Sequence, residues 1–157
     1  MPLAFQHKIF IFHFISYRIF NMRALVNKVL EMCERINSMI RACSRCSRCC
    51  HYRIPILQED KQRIANYLGI SLDEIQKTLS NGYIEPPCPF LEKNECKIYP
   101  ARPIVCRMYP FLLLNEGLFL VNINECKLAN EIYKKLGGKE KTNVAKVSLT
   151  QLEKLLE

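Results

Sequence analysis

Histidine, glycine and tryptophan are scarce in this sequence: it has three histidines, five glycines and no tryptophan in 157 residues. With only His7, His13 and His51 available, no Ser/His/Asp or Cys/His constellation for nucleophilic catalysis is evident. No glycine-rich fingerprint for a dinucleotide or adenosyl group is present. The C-x3-C-x2-C run used by radical adenosylmethionine enzymes is missing as well. Internal repeats and low-complexity segments are also lacking. Acidic residues are few, 15 against 23 lysines and arginines, for a formal net charge of +8. No stretch reaches the roughly 20 apolar residues of a spanning helix. The nearest, "KIFIFHFISYRIF", is apolar from Ile9 to Phe20 but interrupted by His13, Ser16 and Arg18. No small-residue cleavage site follows it, which argues against a secretory signal.

Three readings of that stretch stay open: a weak membrane-surface anchor, an extra helix on the core, or an upstream start miscalled as coding. The last is preferred, because an amphipathic helix begins at Met22. Residues 1–21 are thus expected to be an apolar N-terminal extension, and residues 22–157 a single cysteine-cluster domain. Apolar residues make up 49% of the chain and charged ones 24%, a balance that reads as globular rather than disordered.

Cysteine is what the chain has in excess, with nine. An odd count without a secretory signal argues against a disulfide framework and for a reducing, cytoplasmic compartment. Setting Cys33 aside, the other eight follow the pattern C-x2-C-x2-C-C and then C-x7-C-x9-C-x19-C: Cys43, Cys46, Cys49, Cys50, Cys88, Cys96, Cys106 and Cys126. Two residues between cysteines let successive thiolates turn onto one metal ion or cluster, as in zinc knuckles and ferredoxin ligand runs. Eight ligands divide into two sites of four. Cys49 and Cys50 are adjacent, so their side chains are expected to diverge and to serve different centres. Bare thiols beside Arg45, Arg48, His51 and Arg53 would be prone to oxidation. Two four-thiolate zinc sites would lower the charge of +8 to about +4, because metal-bound cysteines are thiolates. The basic excess therefore reads as compensation for anionic sulfur. No nucleic-acid reading module accompanies it.

Around the cysteines the pattern is mainly helical. Leu25, Val26, Val29, Leu30, Cys33, Ile36 and Ile40 recur at helical spacing; Cys33, on that stripe, reads as buried and inert. "ILQEDKQRIANYLG" predicts a helix with Leu57, Ile64, Tyr67 and Leu68 inward, stopped at Gly69. "SLDE" is a capping box opening a second helix, with Leu72, Ile75 and Leu79 inward, and the short joint between the two predicts a helical hairpin. From Glu85 to Pro110, six prolines exclude long regular elements, so this Pro/Cys-rich segment needs another source of order. "FLLLNEGLFLVNI" predicts a β-hairpin. "KLANEIYKKLGG" predicts a helix, and "SLTQLEKLLE" a capped terminal one. The fold class expected is α+β, mainly helical and metal-stabilised.

"CSRCSRCC", "CPFLEKNECKIYPARPIVCRMYPF" and the later Cys126, with "RIANYLGISLDE" between, resemble the CxxCxxCC cysteine-cluster family (YkgJ-like proteins), described as zinc- or iron-chelating domains. The likeness runs from about Cys43 to Cys126. The resemblance implies binding of zinc or iron, with a [4Fe-4S] cluster as one form, at the eight cysteines. The chain departs from the family at Ser47, where glycine is common. The resemblance also raises an alternative, a protein lysine N-methyltransferase-related enzyme or accessory subunit; catalysis would then need an open coordination position on the metal. Arg102 and Arg107 flank Cys106 and are read as offsetting thiolate charge or pairing with surface acids. His51 reads as a loop cap more than a ligand. Tyr99, Pro100, Tyr109, Pro110 and Phe111 read as a shield against water. The partners expected are metal ions and an unidentified protein; a membrane enters only through residues 9–20.

Overall fold

The computed structural model describes residues 19–79 and 82–157; the apolar stretch before Ile19, with every expectation placed on it, lies outside them. The described chain is α+β and gathers into two compact units. One comprises residues 45–107, the other the described residues up to Ser44 together with residues 108–157.

In the second unit, helix α1 (Ile19–Ile40) buries Val29, Leu30, Met32, Cys33 and Ile36. Leu25, expected inward, is 40% exposed, because the packed face begins one turn later. The predicted hairpin forms from β5 (Phe111–Leu114) and β6 (Gly117–Val121), pairing Phe111 with Leu120 and Leu114 with Gly117. A third strand, β7 (Val144–Val147), adds to β6 in the register Leu118–Val147. Helix α5 (Lys127–Lys135) buries Leu128, Ala129 and Ile132. Helix α6 (Leu149–Leu155) opens with the predicted capping box, in which the Ser148 side chain accepts from the Gln151 N–H at 3.2 Å. Helices α5 and α6 both pack on α1.

The first unit holds α2 (Gln58–Leu68) and α3 (Leu72–Thr78), packed as the expected helical hairpin. Gly69 ends α2 at φ 67, a left-handed conformation that costs glycine nothing. Ser71 and Glu74 form the expected capping box. The strands are two residues each: β1 (Ile54–Pro55) pairs with β2 (Tyr83–Ile84), and β3 (Leu91–Glu92) with β4 (Glu95–Cys96). Helix α4 (Ile104–Met108) carries Cys106. The core of this unit is Ile56, Ile64, Ala65, Ile75, Leu79, Ile84, Phe90 and Ile98. Leu57 and Tyr67, expected inward, are each 49% exposed, and Leu68 is 38% exposed. Ile64 is buried as expected, but its buried companions on α2 are Asp60 and Ala65: a carboxylate occupies a place the periodicity assigned to apolar residues.

Candidate metal centre

The cysteine-rich loop is shaped by its backbone. Arg45 and Ser47 both take the left-handed conformation, at φ 51 and 60, and a 3-10 turn follows at Arg48–His51. The Ser47 carbonyl accepts from the Cys50 N–H at 2.8 Å and from His51 Nδ1 at 3.0 Å. His51 thus closes the loop, in line with its reading as a cap. Position 47 takes a conformation that glycine adopts without strain. The Cys50 carbonyl in turn accepts from the Cys88 N–H at 3.1 Å, joining the first cysteine stretch to the second by main chain.

In the second stretch, Lys93 and Asn94 have φ of 50 and 63, the pair of positive values a tight two-residue hairpin turn requires. This turn places Cys96 opposite Leu91. Cys88 and Cys96 pack against the apolar core of the unit. After a 3-10 turn at Tyr99–Ala101, the Arg102 guanidinium lies 3.7 Å from the centre of the Tyr99 ring, and its Nε donates to the Tyr99 carbonyl at 2.9 Å. Arg45, from the first stretch, lies over the same ring at 4.4 Å. Tyr99 therefore contacts two cations, one from each cysteine stretch.

Cys50 acts on both Cys49 and Cys88, so the three thiols influence one another's protonation. Adjacent Cys49 and Cys50 were expected to serve different centres; here their thiols act on each other's protonation. The bond with Cys50 lowers Cys49 to about 6 against burial, and the positive charge of Arg102 adds to the effect. Cys88 falls to about 7, again chiefly through its bond with Cys50. Cys50 is raised, because it holds its proton between Cys49 and Cys88. Burial raises Cys96 and Cys106, and both feel the charges of Cys49, Cys88 and Arg102. Five of the eight predicted cysteines thus interact within one unit.

Cys46 lies in the same unit and is exposed. Cys43, exposed, and Cys126, half-buried at the N-terminus of α5, belong to the other unit. Tyr109, Pro110 and Phe111, read as a shield, also fall there; the Tyr109 hydroxyl accepts from Asn122 Nδ2 at 3.0 Å, and Phe111 is fully buried. Cys33 is buried, as expected, and its thiol is pushed up to about 12, first by burial and then by Glu34. All nine cysteines are free thiols. Among the described residues, no group of three or more His, Cys, Asp or Glu side chains stands in ready metal-ligating geometry. The donor chemistry nevertheless fits a thiophilic ion: mutually interacting thiols from two stretches, a cation whose charge reaches them, and an apolar backing.

Asp60 escapes a reading by pattern. It is completely buried, and its carboxylate accepts from the Leu57 N–H at 3.2 Å, from Arg63, and from the Ile104 N–H at 3.1 Å. Only the acidic first turn of α2 and the i,i+3 spacing to Arg63 hint at it, and both are common on solvated helices.

The residues from 42 to 137 match the family model CxxCxxCC, "Putative zinc- or iron-chelating domain", and the chain belongs to that family. It is also similar to "Uncharacterized protein MJ0661" of Methanocaldococcus jannaschii, with 33% identity over 100 residues, covering 57% of this chain and 54% of that protein. The chain thus spans about half the length of that relative. No solved structure matches. Nothing in these comparisons supports the methyltransferase alternative. Among the described residues, no helix is long and apolar enough to cross a membrane.

Proposed function

We propose that this chain chelates zinc or iron through cysteine thiolates, as a metal-binding, redox or scaffold module. Cys46, Cys49, Cys50, Cys88, Cys96 and Cys106 supply donors from the first unit. Cys43 and Cys126 enter the ligand set on their spacing and the family pattern. The observation that carries this reading is the main-chain link from Cys88 to Cys50, which joins the two stretches, with Cys49, Cys50, Cys88, Cys96 and Cys106 close enough to act on one another's charge. A bound zinc ion would supply cross-linking, and an iron–sulfur centre one-electron chemistry.

The protein's own residues prepare for that charge. Cys50 gives up its proton on chelation, since thiolate is the ligating form. Arg102 offsets the accumulating negative charge. The core residues behind Cys88 and Cys96 keep water from one side of the sulfurs. A structural thiolate site contributes on the order of 10 kcal/mol to folding, enough to order a proline-rich segment with little regular structure. Thiolate chemistry of this kind belongs in the reducing cytoplasm.

Anaerobic purification followed by elemental analysis and a visible spectrum tests the reading. Zinc in a colourless protein, or iron with acid-labile sulfide in a brown one, is the expected outcome. A stably folded protein with no metal overturns the proposal.

A further inference from the structure

A five-residue helix cannot fix its own position, since nucleation alone is unfavourable at that length. Helix α4 is that short, and Cys106 is its third residue. Its first N–H donors have no partner within the helix. Asp60 Oδ1, from α2, accepts the Ile104 N–H at 3.1 Å. The same carboxylate accepts from Leu57 at the start of its own helix, so one buried side chain caps two helices. Arg63, one turn further along α2, donates through Nη2 to Asp60 and to the Arg102 carbonyl at 2.8 Å. Helix α2 therefore grips the main chain at residues 102 and 104. The first carries the guanidinium that stacks on Tyr99 and whose charge reaches Cys49, Cys96 and Cys106; the second leads into Cys106.

We propose that Asp60 and Arg63 are positioning residues for the metal centre: acting through the backbone of residues 102–104, they set the place of the Cys106 sulfur and of the Arg102 cation. The inference rests on the metal-chelating reading above. A buried carboxylate held by a guanidinium and two N–H groups has few ways to relax, so the placement is rigid. Outer partners of this kind orient ligands, and their loss weakens metal binding by about 10–100-fold.

The test uses the full chain and two probes. Zinc affinity is read by competition with a chromophoric chelator, and cobalt loading by the thiolate-to-cobalt absorbance per bound ion. Asp60→Asn keeps the side-chain shape but removes the charge. It is expected to weaken zinc by about tenfold or more and to lower the absorbance per cobalt. Ile75→Val, in the core of the same unit, is the control for general destabilisation and should change neither probe. In a Cys106→Ser background, Asp60→Asn should add a smaller loss than in the unmodified chain, because one of the two groups it positions is gone. If Asp60→Asn fails to fold, Arg63→Lys carries the same expectation, since an ammonium lacks the guanidinium fork.

A folded Asp60→Asn or Arg63→Lys protein with unchanged zinc affinity and cobalt absorbance overturns this proposal and leaves the chelating reading standing. An unmodified chain that takes up neither zinc nor cobalt and holds no iron overturns both.

Discussion

The Cys88 N–H donates to the Cys50 carbonyl at 3.1 Å. The two cysteine stretches are thereby joined through their backbones, apart from any metal, by a bond with a net worth of about 0.5–1.5 kcal/mol. Changing either sulfur leaves this link in place, so substitutions there report on the thiols themselves.

Cys50→Ser and Cys88→Ser should each lose most of the bound metal, as read by elemental analysis of anaerobically purified protein. Cys33→Ala should keep the full complement, because Cys33 is buried in the other unit. Its cost is a stability loss of about 1 kcal/mol, the scale of one small apolar group removed from a core. Equal metal loss in Cys33→Ala would contradict this division of roles.

Ser47→Gly should stabilise the protein. Ser47 sits at φ 60, and a left-handed conformation costs an L-residue roughly 1–2 kcal/mol. Part of that gain is returned through the greater freedom of glycine in the unfolded chain, leaving up to about 1 kcal/mol. Denaturant unfolding measures it. Ser47→Val should shift the midpoint the other way, because a β-branched side chain tolerates this region poorly.

Arg102→Gln should weaken zinc binding by about tenfold, the lower range for loss of an outer partner. It removes both the charge that favours ionised Cys49, Cys96 and Cys106 and the contact with Tyr99. Arg102→Lys retains a charge without the planar stack and should recover only part of the affinity. Chelator competition with zinc distinguishes the three proteins; equal affinities would show that Arg102 serves the fold alone.

Stability should fall in alkali with a contribution from Cys33. Its folded thiol stays protonated up to about 12, against an ordinary value of 9.0. Below 9.0 both states are neutral and the contribution is intact. As the pH rises from there through about 12, the unfolded state gains by ionising while the folded one does not, so stability is lost. Cys33→Ala should show a shallower decline over the same window in chemical unfolding. Parallel slopes would mean that this thiol is not the group responsible.

The sequence exposed the parts of the fold that rest on local chemistry. Ser71–Glu74 and Ser148–Gln151 cap helices where the residue types require it, and the Asn115-Glu116 turn joins two strands. The third strand, Val144–Val147, was not legible because its partner β6 is distant and four residues carry little periodicity. Leu57 and Tyr67 fitted a helical stripe, yet tertiary packing turned that face outward. Asp60 was hidden for the opposite reason: a carboxylate in the first turn of a helix ordinarily faces water, and only the arrival of Ile104 and Arg63 makes its burial tolerable. For the candidate site, spacing identified the cysteines but not their grouping, which depends on left-handed residues between them and on a cation supplied from Arg102.

The Lys93-Asn94 turn carries one last implication. In a pleated ribbon, successive side chains point to opposite faces, and a slip of one residue reverses them all. Between the turn and the second sulfur stands one ribbon residue, Glu95. A single residue inserted between Glu95 and Cys96, with the turn and its pairing kept, would swing that sulfur to the far face, whereas two would return it to the near one. Chains that keep this turn should accordingly hold that short interval fixed or change it by two.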